Sequence, residues 1–253
     1  QQLWQPEGKA ILDYLKGRGL SDAVIRRFGI GAAPEHPAVC KALMEEGFTE
    51  KELHEAGLML TREGRSFDMF RNRAMFPIID AYGNVLGFGG RAMGDAKPKY
   101  LNTSDTPAFN KRLGVFAANL LRKARGLKRV ILVEGYMDVV ALSQYGIEGV
   151  AATLGTALTP EQARLLNRFA PQVILAYDGD SAGQRATQRA IPILEKAGLQ
   201  VKVLQIKDAK DPDEYLKKFG ADKFKVLLED ASNRVEYQLN AIRRKYDLRL
   251  DEE

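Results

Sequence analysis

From residue 115 onward the chain alternates short apolar runs with helical periods, and this alternation restricts the fold more than any other feature. Residues 130–133, 149–153, 173–177 and 201–206 are apolar enough and short enough to be buried strands. Helical patterns at 115–125, 137–145, 159–170 and 182–197 precede and separate them. Thr159-Pro160-Glu161-Gln162 opens one of these helices with a capping threonine, a proline at the first helical position and a glutamine placed to reach back. The order β-α-β-α-β-α-β predicts a mainly parallel sheet flanked by helices, and residues 212–248 read as helical again.

The first half differs. Residues 1–60 read as short amphipathic helices. Ile11, Leu12 and Leu15 recur at helical spacing before Gly17 and Gly19, Ser21 caps the next run, and Thr49 stands three residues before Glu52. Residues 74–79 and 84–88 read as a hairpin around Ala81-Tyr82-Gly83-Asn84, with a further short strand at 99–102. The expected class is α/β, α+β overall. Its predicted parts are a helical and β-rich basic subdomain at 1–114, an α/β subdomain at 115–211 and a helical subdomain at 212–253.

Composition narrows the function classes. The 253 residues carry a net charge of +5, unevenly spread: residues 62–129 hold 14 Lys/Arg against 5 Asp/Glu, and the remainder holds 24 against 28. A basic block beside an acidic one suits a polyanionic partner, and it equally suits a solvated basic face. One cysteine, Cys40, excludes an internal disulfide, which fits a reducing compartment. With His36 and His54 as the two histidines, no four-ligand zinc site can be assembled. No apolar run is long enough for a membrane helix, so no membrane partner is expected. The first residue is Gln1, which suggests a piece of a longer protein.

The chemistry gathers at the predicted strand ends. Glu134 directly follows the first apolar strand and Asp178 directly follows the third. In a parallel sheet the carboxyl ends share one edge, where ligands bind. Asp180 lies two residues beyond Asp178, Asp138 four beyond Glu134, and Asp211 and Asp213 follow the fourth strand. Carboxylates this close repel one another, and a divalent cation relieves that. Hard oxygen ligands suit magnesium, and no soft ligand is near in sequence. Other readings exist. Asp178-Gly179-Asp180-Ser181-Ala182-Gly183 opens like a calcium loop, but Ala182 and Arg189 stand at two ligand positions of that loop. An Asp-x-Asp after a strand also occurs in aspartyl-phosphate enzymes, though early in the fold. Asp211 serves equally as a helix cap before Pro212, and Asp138 as a first-turn helix acid. Gly87-Phe88-Gly89-Gly90 loosely matches a dinucleotide fingerprint but lies in the β-rich block.

The strings Val133-Glu134-Gly135-Tyr136-Met137-Asp138 and Tyr177-Asp178-Gly179-Asp180-Ser181-Ala182-Gly183 together resemble the Toprim signature. Phe70-Arg71-Asn72-Arg73-Ala74-Met75-Phe76-Pro77-Ile78, Gly87-Phe88-Gly89-Gly90-Arg91, Pro98-Lys99-Tyr100-Leu101-Asn102 and Asp211-Pro212-Asp213 narrow the likeness to the RNA polymerase core of bacterial DnaG-type primases. The resemblance implies a Toprim-type sheet in the middle subdomain. It implies a nucleotidyltransferase that makes short RNA primers on single-stranded DNA from nucleoside triphosphates in the bacterial cytoplasm, using two or more Mg2+ or Mn2+ ions. By the same resemblance Glu134, Asp178 and Asp180 are the primary catalytic and metal positions, with Asp138, Asp211 and Asp213 as further metal positions. Arg71, Arg73, Arg91, Lys99, Tyr100, Asn102 and Lys111 match the family's nucleotide- and DNA-binding ridge. Tyr100 suits base stacking and subdomain packing equally. The family's zinc-binding and helicase-binding domains have no counterpart here, so no zinc is expected in this chain and a replicative helicase would be met only by the full-length protein. A Toprim nuclease or topoisomerase and a non-catalytic nucleic-acid clamp are the rival readings.

Overall fold

The structure is a computed structural model that describes residues 2–206 and 208–245, with side chains to residue 239. Two 3-10 turns, Gln2–Trp4 and Pro6–Gly8, lead into α1 (Lys9–Gly17) and α2 (Asp22–Arg27). Ile11 and Leu15 bury one face of α1, and the Ser21 hydroxyl accepts from the Val24 N–H to cap α2, as the spacing predicts. Then follow β1 (Gly31–Ala33), α3 (Val39–Glu45), α4 (Glu50–Glu55) and the hairpin β2 (Met59–Arg62) and β3 (Arg65–Asp68). Thr49 and Glu52 form the expected capping box on α4. Strand β1 and the β2–β3 hairpin lie where helices or no element were expected.

Strands β4 (Arg73–Ile79), β5 (Val85–Ala92) and β6 (Tyr100–Asn102) complete an antiparallel sheet of order β1-β4-β5-β6. Helix α5 (Ala118–Lys123) is shorter than the expected 115–125. Ala117 is left-handed (φ 67°) and Phe116 pairs with Ala152, which holds the segment before α5 out of the helix.

The second sheet contains β7 (Val130–Val133), β8 (Val150–Ala152), β9 (Gln172–Leu175), β10 (Gln200–Val203) and β11 (Ser232–Asn233) in the order β11-β10-β9-β7-β8. All pairings are parallel except that of β11 with β10. Helices α6 (Tyr136–Gln144), α7 (Pro160–Asn167) and α8 (Ser181–Lys196) make the crossovers. Residues Val130–Val133 are fully buried because helices cover both faces of the sheet. The expected unbroken helical tail is instead α9 (Pro212–Glu229), kinked at Gly220 (φ 80°), then β11, then α10 (Arg234–Lys245). The part of that expectation beyond residue 245 lies outside the described residues. No helix among the described residues is long and apolar enough to cross a membrane.

One apolar core runs between the two sheets. Phe76 from β4, Phe116 and Tyr136 pack ring to ring, with Phe116 and Tyr136 centroids 4.6 Å apart. A second core beneath the parallel sheet holds Leu132, Leu175, Ile191 and Val203. Tyr136 stands two residues beyond Glu134, so the first core also fixes the start of the acidic edge.

Candidate active site

Strands β7 and β9 are neighbours, so Glu134 and Asp178 leave the sheet side by side. Glu134 Oε1 accepts from the Asp178 N–H at 3.1 Å. Asp180 caps α8, its Oδ1 accepting from the N–H groups of Ala182 and Gly183 at 2.9 and 2.8 Å. Asp138 Oδ2 accepts from the Gly135 N–H at 3.1 Å, turning the chain from β7 into α6. Asp211 caps α9 by accepting from the Glu214 N–H at 2.8 Å. Asp138, Asp180 and Asp211 are thus each aimed by a helix start, where N–H groups and the dipole favour negative charge.

Asp213 differs. It is only 5% exposed, and its Oδ2 takes Lys217 Nζ at 2.7 Å and Arg18 Nη2 at 3.1 Å. Its charge is already met by two cations.

The electrostatics register the convergence. Burial first, then the charges of Asp178, Asp211 and Asp213, push Asp138 up to about 7. Burial, then Asp178 and Asp180, raises Glu134 above the usual carboxylate range. Burial, then Asp211 and Asp180, raises Asp178, with Lys210 opposing. Acids from the loops after three strands, β7, β9 and β10, therefore feel one another. As the side chains stand, Glu134, Asp138, Asp180 and Asp211 each accept a backbone N–H and Asp213 meets two cations, and no three among the described residues close on a common point. The donor set is nonetheless all hard oxygen, carries charge in excess of its nearby cations and lies at a sheet edge. It suits a magnesium-like ion that keeps several waters.

Gly183 makes this edge compact. A Cβ there would stand 2.1 Å from the Asp178 carbonyl oxygen and 2.8 Å from Glu134 Oε1. The first turn of α8 can therefore approach the carboxylates only without a side chain. The motif string contained Gly183, but this role depends on a contact that no spacing discloses.

The basic and polar residues divide. Tyr100 is 38% exposed and meets Tyr136 edge-on at 6.1 Å, and Arg91 lies 5.5 Å from its ring and 5.4 Å from that of Tyr14. Burial pushes the Tyr100 hydroxyl up to about 12. Asn102 has both ends of its amide engaged: Nδ2 donates to Leu154 O at 2.8 Å and Oδ1 accepts from the Tyr136 hydroxyl at 2.7 Å. Arg73 is buried and donates to the carbonyls of Gly90 and Pro98, so it pins strands together. Arg71 and Lys99 are exposed, with Arg71 donating to Glu35 O. The Lys111 N–H donates to Asp105 Oδ1 at 3.4 Å, while its carbonyl accepts from Gln162 Nε2 at 2.9 Å. Arg91, Tyr100 and Asn102 thus join the acidic edge through Tyr136, whereas Arg73 is tied into the scaffold by its side chain and Lys111 by its backbone.

The glycine string in β5 also has a steric explanation. A Cβ on Gly89 would fall 2.2 Å from the Tyr136 ring, and one on Gly90 would fall 2.8 Å from Phe70 and Arg73 side-chain atoms. The string admits Tyr136 and Arg73 against the sheet, and the dinucleotide reading has no place here.

Comparison with known proteins matches two stretches of the chain. Residues 1–122 match the family described as DNA primase catalytic core, N-terminal domain, and residues 131–216 match Toprim-like. The DNA primase of Clostridium acetobutylicum is 45% identical over 90% of this chain and 38% of that protein. The Escherichia coli DNA primase is 40% identical over 98% of this chain and 44% of that protein. The chain therefore spans less than half the length of these relatives. A solved DnaG primase catalytic domain bound to ssDNA superposes with a TM-score of 0.87 at 38% identity, covering 99% of this chain and 80% of that one. A DNA primase domain from Pseudomonas aeruginosa gives a TM-score of 0.89 at 37% identity, covering 99% and 81%. With a Toprim-type sheet, its acidic edge and matches over both halves, this chain belongs to the family of DnaG-type primase catalytic cores.

Proposed function

We propose that the chain is the RNA-polymerising core of a primase, a nucleotidyltransferase that copies single-stranded DNA into short RNA primers from nucleoside triphosphates. The carrying observation is the joined pair Glu134 and Asp178 at the parallel-sheet edge, with Asp180 and Asp138 raising the local negative charge. Two or more divalent cations, Mg2+ or Mn2+, would when bound activate a ribose 3′-hydroxyl and neutralise a triphosphate with its departing pyrophosphate.

The chain's own residues have separable tasks. Glu134, Asp178 and Asp180 would hold one ion, and the raised proton affinity of Glu134 and Asp178 is what a cation displaces. Asp138 and Asp211 would hold the other. Asp213, engaged by Arg18 and Lys217, would act through water. Arg91 and Tyr100, beside Asp138 and partly exposed, would hold triphosphate and stack on a base or sugar. Arg71, Lys99 and Lys111 would follow template phosphates, giving salt-dependent binding with little sequence preference. Asn102 and Arg73 would shape that surface from within. The subdomain boundaries at 114 and 211 belong to this reading, as does contact with a replicative helicase by the longer protein in the cytoplasm.

The test is incorporation of labelled ribonucleotides on single-stranded DNA with Mg2+ or Mn2+, beside the Asp178→Ala/Asp180→Ala variant. Short metal-dependent RNA that disappears in the variant supports the reading. Metal-dependent cleavage of the template without RNA synthesis replaces it with a nuclease. DNA binding alone, equal in both proteins, replaces it with a clamp.

A further inference from the structure

The parallel sheet has a second edge. Helix α5 leads to the amino end of β7 and α7 to that of β9, so the loops there face away from the carboxylates. The turn of the β4–β5 hairpin reaches the same side, at the end opposite Arg73 and Arg91. Between them lies a hollow of 510 Å³. Its floor is apolar: Ile79, Leu86 and Phe169 are partly exposed to it, over the buried Ile78, Phe109 and Leu121. Tyr82 and Leu113 form its lips, 69% and 56% exposed.

The rim is cationic. Arg122, Arg125 and Arg168 line the hollow, and none has an ion pair among the described residues. The one acid there, Asp80, is occupied by its own turn. Its Oδ1 accepts from the N–H groups of Tyr82 and Asn84, and its Oδ2 from Asn84 Nδ2. The Arg122 guanidinium lies 4.5 Å from the centre of the Tyr82 ring, a flat paired surface beside the apolar floor. A concave apolar site with a few converging polar groups is the usual form of a small-molecule site, and this volume suits one with one or two rings. The proposed primer synthesis uses none of these residues.

We propose that this hollow is a second ligand site for a small aromatic anion, its rings against Leu86, Leu113 and Phe169 beside Tyr82 and its negative group on the arginine rim. Charge complementarity selects an anion, and the 510 Å³ volume beside the Tyr82 ring selects a compact ring system.

The probe is 8-anilinonaphthalene-1-sulfonate, titrated into the intact chain and followed by fluorescence. A single saturable site is expected. Affinity should fall about tenfold or more in Arg122→Ala/Arg168→Ala, corresponding to roughly 1.4 kcal/mol or more. Both substitutions are on exposed side chains, and an unchanged melting temperature shows that the variant is folded. Arg164→Ala, outside the hollow, should bind as the parent does, and so should Asp178→Ala/Asp180→Ala. The neutral N-phenyl-1-naphthylamine should bind about tenfold more weakly. Absence of binding, equal affinity in the arginine variant, or equal affinity for the neutral probe overturns the proposal. Loss of binding in the aspartate variant overturns the separation of the two sites. Displacement of the probe by an acidic phenylalanine-containing peptide at lower concentration than by 2-naphthoate overturns the small-molecule assignment in favour of a protein-docking surface.

Discussion

Glu134 Oε1 accepts the backbone N–H of Asp178 at 3.1 Å and so joins the ends of two neighbouring strands whose residues lie 44 positions apart. The bond places one acid against the loop that presents the next two. It also explains why Gly183, whose Cβ would intrude on both partners, stands at the first turn of α8.

Gly183→Ala tests that closeness. The added methyl would overlap the Asp178 carbonyl oxygen, which is backbone and cannot swing away. Overpacking of this kind costs about 1–3 kcal/mol. The expected result is a lower melting temperature with a larger fractional loss of primer synthesis, measured by calorimetry and ribonucleotide incorporation. Parent-like values in both would show that α8 does not press on the carboxylates.

Proton linkage gives a second test. Asp138, at about 7, and Glu134 and Asp178, both raised, bind protons more tightly in the folded than in the unfolded chain. Their protonated forms favour folding. That contribution is fully present below the ordinary carboxylate pKa and is lost as pH rises through about 7, when the edge becomes fully charged. In chelator, the contribution of this edge to stability should therefore fall between pH 5 and pH 8, most clearly as the parent's curve minus that of Asp138→Asn. Added Mg2+ or Mn2+ should stabilise the parent more at the higher pH. Denaturant titrations at several pH values would read both. An Asp138→Asn curve that falls as the parent's does would contradict the linkage.

Asn102 gives a third. Replacing it by alanine leaves the buried Tyr136 hydroxyl and the Leu154 carbonyl without this partner. A loss of about 1–3 kcal/mol is expected. Template affinity in a binding titration should change little, while the rate of synthesis falls. A large loss of DNA binding at unchanged stability would make Asn102 a direct ligand.

Cys40 should be inert. Burial first, then its hydrogen bond to and the charge of Asp68, push the thiol up to about 12. Iodoacetamide at neutral pH should leave the folded chain unlabelled and label it once in denaturant. Rapid labelling of the native chain would show that α3 opens readily from its neighbours.

Several parts of the fold were readable because a single local signal decided them. The apolar run Val130–Val133 needed burial on both faces, and Ser21, Thr49 and Thr159 marked helix starts through their own side chains. The missed pieces lacked such signals or lost to distant contacts. Gly31–Ala33 forms β1 only because β4 offers it an edge. In the β2–β3 hairpin, Glu63 and Gly64, both at positive φ, make the turn, but its four-residue strands do not alternate cleanly. Residues before α5 have helical periodicity, yet Phe116 is captured by Ala152.

The acidic edge was likewise readable from strand ends, because parallel order forces those ends together. The Arg18–Asp213 pair was not, since it spans 195 positions and joins the residue that ends α1 to α9. Nor was the burial of Arg73, whose partners are backbone carbonyls that carry no sequence signature.

The central claim is that charge at the Glu134–Asp178 edge, rather than shape, carries nucleotide transfer. The most direct measurement is labelled ribonucleotide incorporation on single-stranded DNA by the parent and by Glu134→Gln, with template binding measured alongside. Glutamine keeps an oxygen to accept the Asp178 N–H but removes the charge a cation needs. The account predicts intact template binding and synthesis reduced about a hundredfold or more, the usual scale for removing a metal or electrostatic contact at a reacting centre. Synthesis by the glutamine variant at close to the parent's rate would contradict it.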